Sequence, residues 1–432
     1  MINKILEKKR YVIVGTGSRA SMYIEALTDK YSDRTNLVAF CDSNLGRMEY
    51  HNQKLMHAGR KPVPTYHPNE IDQLFHECNP DIIIVTTGPD RTHSKYIVKA
   101  MRMGCDVITE KPITIDMHST REILRAQKET GRNIQVTFNY RYAPPRAQVR
   151  SLIQNGEIGS IISVNFTWYL NTRHGADYFR RWHRKLENSG SLLIHKAAHH
   201  FDLVNWWIND RPEQVTAIGA KQYYNEGTAE RLGLTDHGDR CLECRNKTEC
   251  PFYLDLREDG QRELYLNNEK YDGYIRDSCV FSPEINIWDT MSATVSYVNG
   301  VQMSYSLNAF SPEEGYSIVF NGTKGRLDHS AIERSYVSGD GNIPGELRQS
   351  TVRTRLLKEF SEPVELEVET RPGGHGGGDP LLLEELFGRD KSGDSLSQRA
   401  DHMDGVWSML VGLGACQSIQ SGGKPVILSE LL

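Results

Sequence analysis

Short β-branched and aliphatic runs alternate with amphipathic stretches through the first third of the chain. Arg10–Val14, Leu37–Asp42, Asp81–Thr87, Asp106–Thr109 and Asn133–Asn139 each read as a strand, because a brief apolar run is bounded by glycine, proline or charge. Between them Ser21–Leu27, Glu70–His76, Ser94–Met103 and Ser119–Lys128 read as helices. Such alternation implies right-handed crossovers and an α/β, doubly wound parallel sheet. The pattern changes further on. Ile161–Leu170 alternates in polarity, Trp288–Leu307 gives two alternating strands around Asn299-Gly300, and Tyr316–Gly325 adds another strand and turn. Ser189–Trp207 reads as one helix anchored by Leu203, Trp206 and Trp207, and Arg399–Gln420 as another. Asn171–Arg184 reads as a polar loop with aromatic anchors, and Gly373–Asp379 as a flexible loop before a helix at Pro380–Phe387. At 432 residues the chain is too long for one ordinary core. The expected division is 1–139 and 140–432, with a cysteine-rich insertion near 236–280.

The first strand runs straight into Gly15-Thr-Gly-Ser-Arg-Ala20. A turn with Gly15, Gly17 and Ala20 at these positions, between strand and helix, lets backbone approach a pyrophosphate at a helix N-terminus. The second strand ends in Asp42, the usual acceptor for an adenosine ribose hydroxyl, whose charge disfavours a 2′-phosphate. The expected cofactor is therefore NAD rather than NADP, with nearby Arg47 pulling the other way. Glu110-Lys111-Pro112 places a carboxylate and an amine at the carboxyl end of a strand, where parallel sheets bind ligands. Alone, that tripeptide reads equally well as a solvated charge pair before a turn.

Charge excludes little and directs little. Lys+Arg 51 against Asp+Glu 56 gives a net charge of −5, with no global pull towards nucleic acid or an anionic membrane. Met1–Arg10 lacks the apolar core of a signal peptide and no apolar run is long enough to cross a bilayer, which leads to an expectation of a cytoplasmic protein. Cys41, Cys78, Cys105 and Cys416 are scattered and read as reduced core residues.

Two stretches of the second domain concentrate chemistry. Arg173, Arg180, Arg181 and Arg184, with His174 and His183, form either a solvated loop or a cationic wall for a sugar bearing an anionic group. In the Ser189–Trp207 helix, the spacing puts His195, His199 and Asp202 on one face, with Lys196 and His200 on the neighbouring stripe. Basic and imidazole groups so concentrated are costly to bury without purpose. Two histidines one turn apart are also a candidate metal pair.

The order Gly-x-Gly-x-x-Ala, Cys41-Asp42, Pro89-x-x-x-His93, Glu110-Lys111-Pro112 and Phe138-Asn-Tyr-Arg-Tyr142 resembles the Gfo/Idh/MocA family, oxidoreductases named for glucose–fructose oxidoreductase and inositol dehydrogenase. The resemblance covers nearly the whole chain. It implies a Rossmann domain followed by an α/β domain with a large, mostly antiparallel sheet, one face of which serves subunit contact in a homo-oligomer. It implies Lys111 beside the nicotinamide and the reacting hydroxyl, and a cofactor site drawing on Gly15, Gly17, Arg19, Ala20, Asp42, His93, Glu110, Lys111 and Asn139. The family pattern Asp-x-Gly-x-His-x-x-Asp sets His199 on the catalytic histidine and Asp202 on the structural aspartate. His195 replaces the first Asp of that pattern and joins the catalytic candidates, and Ala197 replaces its Gly. Gly88-Pro-Asp90 stands where Thr-Pro-Asn is usual. The substrate candidates are Lys111, Tyr140, Arg141, Arg173, Tyr178, Arg180, Lys196, His199, His200 and His375.

Cys241, Cys244, Cys250 and Cys279 stand apart. A C-x2-C pair followed by two more cysteines is zinc-like in a reducing compartment; disulfides and unlinked thiols are the alternatives. The expected activity is NAD-dependent removal of hydride from a secondary carbinol of a sugar, polyol or glycoside, with Lys111 and His199 handling the hydroxyl proton. The rival is a redox-neutral NAD-dependent glycosidase, whose extra proton transfers would suit Lys196, His200 and Tyr178. A non-enzymatic NAD sensor is opposed by the intact Lys111/His199 pair.

Overall fold

The computed structural model describes residues 8–257, 260–337, 340, 342–389 and 393–432. Met1–Glu7, part of the stretch that lacks a leader-like apolar core, lie outside them. The chain divides into two units. The first comprises Met1–Thr137, Leu256–Arg276 and Leu383–Gly393, and the second comprises Phe138–Asp255, Asp277–Leu382 and Asp394–Leu432.

The first unit is built on β1 (Lys9–Val14), β2 (Thr35–Cys41), β3 (Thr65–Tyr66), β4 (Ile82–Val85), β5 (Asp106–Thr109) and β6 (Ile134–Val136). Their order is β3-β2-β1-β4-β5-β6, with every pairing parallel. This is the doubly wound order, with its switch point between β1 and β4. All four residues of β4 are buried, which is why the sequence there is unbroken isoleucine and valine. Gly15 closes β1 at φ +92°, and a Cβ there would lie 2.6 Å from the Thr87 backbone, so no larger residue fits the switch point. Helix Ala20–Thr28 starts directly behind that turn. The later segments dock by their own side chains: Phe387 meets Tyr11 edge-on at 5.4 Å, and Tyr31 donates to Glu384 at 2.9 Å.

The second unit carries β7 (Ile161–Asn171), β8 (Pro212–Ala220), β9 (Thr290–Tyr297), β10 (Gln302–Ser311), β11 (Glu314–Gly322), β12 (Gly325–Glu333), β13 (Arg353–Lys358), β14 (Val364–Leu366) and β15 (Val426–Ile427). The sheet order is β14-β13-β12-β11-β7-β10-β9-β8-β15, antiparallel throughout except for β7 against β10. Along β7, Val164, Phe166, Trp168 and Leu170 point into the core while their neighbours are more exposed, the period-2 burial of a sheet with one covered face. Helix His402–Gln420, capped by Asp401 and Asp404, packs over this sheet.

Three local expectations are corrected. Asn171–Arg184 is not a loop but a helix, Thr172–Arg180, followed by a 3-10 turn at Trp182–Arg184. It lies so close on β10 that a Cβ at Gly175 would sit 1.7 Å from the Ala309 carbonyl oxygen. Ser189–Trp207 is not one helix: short turns at Leu186–Ser189 and Leu192–His195 precede the helix Ala198–Ile208. Gly190 and Ser191 break it, both at positive φ. The glycine stretch at 373–379 is held rather than loose, with Gly376, Gly377 and Gly378 buried. Among the described residues no helix is long and apolar enough to cross a membrane.

Candidate active site

In the first unit the strand ends gather around the Gly15 turn. Asp42, just past β2, is almost fully committed: Oδ2 accepts from the Thr16 amide at 2.6 Å and the Thr16 hydroxyl at 2.9 Å, and Oδ1 from the Asn44 amide at 2.8 Å. Arg47 reaches Asp42 at 3.4 Å and forms an ion pair with Asp272. Its charge is thus already balanced, which removes the feature that favoured a 2′-phosphate. Beyond β5, Glu110 accepts from Arg19 Nε at 2.6 Å and from the Tyr23 hydroxyl at 2.7 Å. Burial works to raise the Glu110 pKa, but the Arg19 charge, these bonds and Lys111 outweigh it and hold the carboxyl below its usual range. Glu110 is therefore an internal fixture, not the solvated charge of a bare surface turn. Lys111 follows it, half-buried, with a cis bond to Pro112. His93 is buried with Nδ1 2.8 Å from the Pro112 carbonyl and Nε2 2.9 Å from the Thr87 carbonyl. It braces the Glu-Lys-Pro turn against the turn after β4. The glycine turn, the helix start behind it and the Asp42 carboxylate fit a dinucleotide.

In the second unit, His199 lies in the first turn of Ala198–Ile208, and Asp202 follows one turn on. Arg141 forks onto Asp202, Nε at 2.8 Å and Nη2 at 2.5 Å, with both groups buried. Its Nη1 is spent on the Ser397 carbonyl and Asp404. Arg141 is therefore a fixture of the helix, which corrects its reading as a substrate group. The Tyr140 ring stacks on His199 at 4.3 Å, and the Arg146 guanidinium sits 3.9 Å over the Tyr140 ring while pairing with Glu333. Lys196 donates to the Tyr140 hydroxyl at 3.2 Å and lies 5.0 Å over the Trp168 ring. It is buried with no carboxylate in ion-pair reach among the described residues, and burial lowers its pKa.

His375 closes this cluster, its ring 5.5 Å from Tyr140 and 6.1 Å from His199. Its Nδ1 is 2.8 Å from Asp379, whose other oxygen accepts from Asn139 at 2.7 Å. Asn139, expected at the cofactor, is thus engaged with Asp379. His375 also holds φ +55°, a strained backbone for a residue with a Cβ, stabilised here by the Arg146 bond to its carbonyl.

A second cluster surrounds Tyr178. Its hydroxyl is 3.2 Å from His174 Nε2, and His174 Nδ1 is 2.7 Å from Glu314, giving a buried carboxylate–imidazole–phenol chain. His195 and His183 pack their rings on Tyr178 at 5.6 and 5.4 Å. His195 belongs to this cluster because the helix is interrupted before Ala198, so the expected shared face of His195, His199 and Asp202 does not form. His200 is a core residue rather than a substrate group: it is wholly buried, stacked on Trp168 at 4.0 Å and bonded to the Tyr305 hydroxyl at 2.7 Å. Glu314 and the His174 relay carried no sequence signal, since their pairing spans 140 residues.

The arginine group disperses. Arg181 pairs with Asp177 at 3.0 Å and Arg184 with Glu284 at 2.9 Å, and Arg173 is exposed. Arg180 is buried against the Phe252 carbonyl at 3.1 Å and Cys241 Sγ at 3.8 Å. The cationic wall for an anionic sugar therefore loses its basis. Cys241, Cys244, Cys250, Cys279 and His237 do line one pocket. Yet among the described residues no group of three or more His, Cys, Asp or Glu is placed to hold a metal ion, so the expected zinc is not supported. Burial pushes the thiols of Cys241, Cys250 and Cys279 up, that of Cys279 to about 11. His195 and His199 likewise belong to no such group among the described residues.

Family comparison decides what this architecture is. Residues 9–138 match the NAD-binding Rossmann fold of the Gfo/Idh/MocA oxidoreductases, and residues 150–428 match their C-terminal alpha/beta domain. The chain belongs to the Gfo/Idh/MocA family. It is an NAD-binding oxidoreductase of that family. A Bacillus subtilis protein named as an oxidoreductase, YteT, is 36% identical over 435 residues, with 98% of each chain covered. An inositol 2-dehydrogenase/D-chiro-inositol 3-dehydrogenase of Lactiplantibacillus plantarum is 25% identical over 211 residues, spanning 49% of this chain and 55% of that one. Among solved structures, the aldose-aldose oxidoreductase of Caulobacter crescentus complexed with glycerol aligns at TM-score 0.63 and 14% identity, covering 98% of this chain and 100% of that one. The WlbA dehydrogenase of Bordetella pertussis, in complex with NADH and UDP-GlcNAcA, aligns at TM-score 0.63 and 17% identity, covering 98% and 99%. At these identities the likeness is one of fold.

Proposed function

We propose that this chain oxidises a secondary hydroxyl of a sugar or polyol, with NAD as acceptor. The observation that carries the reading is His199: buried, stacked on Tyr140 and set one helical turn before an Asp202 that Arg141 pins. An imidazole fixed in this way can take a hydroxyl proton without reorganising. When bound, NAD supplies the hydride acceptor. Lys111 is the second proton-handling group, half-buried beside a Glu110 that pairs with Arg19. Names among the relatives and structural neighbours, an inositol dehydrogenase and an aldose-aldose oxidoreductase, support a polyol or sugar as the substrate class. The test is NAD reduction at 340 nm with a panel of inositols, aldoses and methyl pyranosides. Absence of NADH formation with every member would remove the reading.

One observation favours a second reading, a redox-neutral glycosidase. A simple dehydrogenation needs one proton transfer, and the second unit holds two further acid–base arrangements, His375–Asp379 and Tyr178–His174–Glu314. Removal of the proton next to the oxidised carbon, loss of the protonated leaving group from the following carbon and addition of water, before the hydride returns, would use them. Turnover of 4-nitrophenyl pyranosides beyond the NAD supplied, without net NADH, would select this reading over the first.

A further inference from the structure

Tyr265 comes from the insertion, 247 residues along the chain from the glycine turn, and yet bonds directly to it. The Ser18 amide donates to the Tyr265 hydroxyl oxygen at 2.9 Å. The surrounding segment is fastened independently within the same unit. The Asn44 side chain donates to the Asn268 carbonyl at 2.9 Å, and Arg47 pairs with Asp272. The Arg276 guanidinium lies 4.2 Å over the Tyr265 ring, and the Tyr274 ring meets it at 6.1 Å. Tyr265 is 7% exposed and Arg276 3% exposed.

Amides at this position, just ahead of the Ala20–Thr28 helix, are the donors that a dinucleotide-binding turn offers to a diphosphate. A phenol placed on one of them does not simply block it. Its oxygen accepts from Ser18, and its own proton has no acceptor among the described residues. A nearly buried donor without an acceptor is costly unless a ligand supplies one. The amide polarises the hydroxyl towards onward donation, and Arg276 adds a cation that cannot be titrated away. The chemical class that satisfies both is an anionic oxygen.

We propose that Tyr265 is a pyrophosphate-binding residue of the NAD site, passing the donor character of Ser18 outward through its hydroxyl, with Arg276 fixing its ring. The insertion thereby acts as a retaining strap on the cofactor, and NAD leaves slowly because the segment must shift to release it.

The experiment needs no carbohydrate. NADH binding is measured by fluorescence titration and stopped-flow dissociation, and ADP-ribose and adenosine by calorimetry, for the wild type and Tyr265→Phe. Loss of one charge-assisted hydrogen bond should raise Kd for NADH and ADP-ribose roughly ten- to hundredfold, with most of the change in the dissociation rate. Adenosine, which lacks the diphosphate, should bind within about twofold of wild type. NADH binding within twofold of wild type, or tighter because the phenol competes for Ser18, overturns the proposal. So does an equal loss for adenosine, the signature of a merely structural role. If Tyr265→Phe does not fold, Arg276→Lys and Arg276→Gln decide it: Lys should retain NADH affinity within a few-fold and Gln should lose it, and equal behaviour overturns the proposal. A wild type that binds no NADH defeats it together with the cofactor assignment. A chain that binds NADH through Tyr265 but oxidises no carbohydrate loses only the substrate reading.

Discussion

Arg19, partly buried in the first unit, and Lys196, buried in the second, are cations that the two regions treat in opposite ways. Arg19 meets Glu110 at 2.6 Å, a pair tightened further by Tyr23. Lys196 meets a phenol and two aromatic faces, with no carboxylate in ion-pair reach among the described residues. A pair already neutral at rest fixes geometry and gives up nothing during a reaction. A buried amine with no ion-pair partner among the described residues loses its proton more readily than an exposed one, since desolvation outweighs the more distant Glu314 and Glu333 charges. The Arg19–Glu110 pair is thus a fixed element of the first unit, whereas Lys196 in the second keeps a charge that burial disfavours.

The sharpest way to break this contrast is to remove the groups given proton chemistry. Lys111→Ala and His199→Ala should each lower turnover by roughly 10²–10⁴-fold, the range of a general acid–base group. NADH affinity, followed by fluorescence, should stay near wild type for His199→Ala. Turnover within a few-fold of wild type would take that residue out of the mechanism. A fixture should instead fail through stability. Arg141→Ala leaves Asp202 buried and uncompensated, and chemical denaturation should show a loss of about 3–5 kcal/mol.

Lys196 should show itself in the pH dependence. Burial lowers its pKa from the ordinary 10.5, so between the depressed folded value and 10.5 the unfolded chain binds more protons than the folded one. Stability therefore rises with pH across that window, by at most about 1.4 kcal/mol per unit, and falls as the pH drops. Lys196→Met should flatten this slope in denaturation series run from neutral to alkaline pH; an unchanged slope would mean that the amine is not titrating there. The smallest effect belongs to Arg173. Exposed at its helix start, Arg173→Ala should change stability by less than about 0.5 kcal/mol and leave the ratio of kcat/KM for matched acidic and neutral sugars unaltered.

What the sequence displayed was whatever local pattern controls. Asp106–Thr109 is found where its β-branched run between a glycine and a proline predicts it, and the Thr290–Ser311 hairpin where Asn299-Gly300 does. Helix Thr172–Arg180 was hidden because its buried face is polar: His174 and Arg180 meet partners brought from elsewhere and Asp177 pairs with Arg181, which no periodicity in hydrophobicity reveals. Ser189–Trp207 looked continuous because nothing in a serine announces a left-handed backbone, yet Ser191 at φ +75° sets its first residues apart, and a second interruption at Lys196 and Ala197 falls between His195 and His199. The arginines clustered in sequence but not in role, since each found its own carboxylate, carbonyl or solvent. Tyr265 was invisible for the plainest reason, a contact order of 247 residues.

The first unit is not contiguous: it is completed by Leu256–Arg276 and Leu383–Gly393, long after Thr137. During synthesis the parallel sheet can therefore collapse early, but Ser18 waits for Tyr265, past the middle of the chain, and Tyr11 and Tyr31 wait for Phe387 and Glu384 until most of the chain has left the ribosome. A nascent fragment ending near residue 140 would expose those waiting surfaces. Its maturation to full protease resistance should track release of the last segment rather than completion of the sheet.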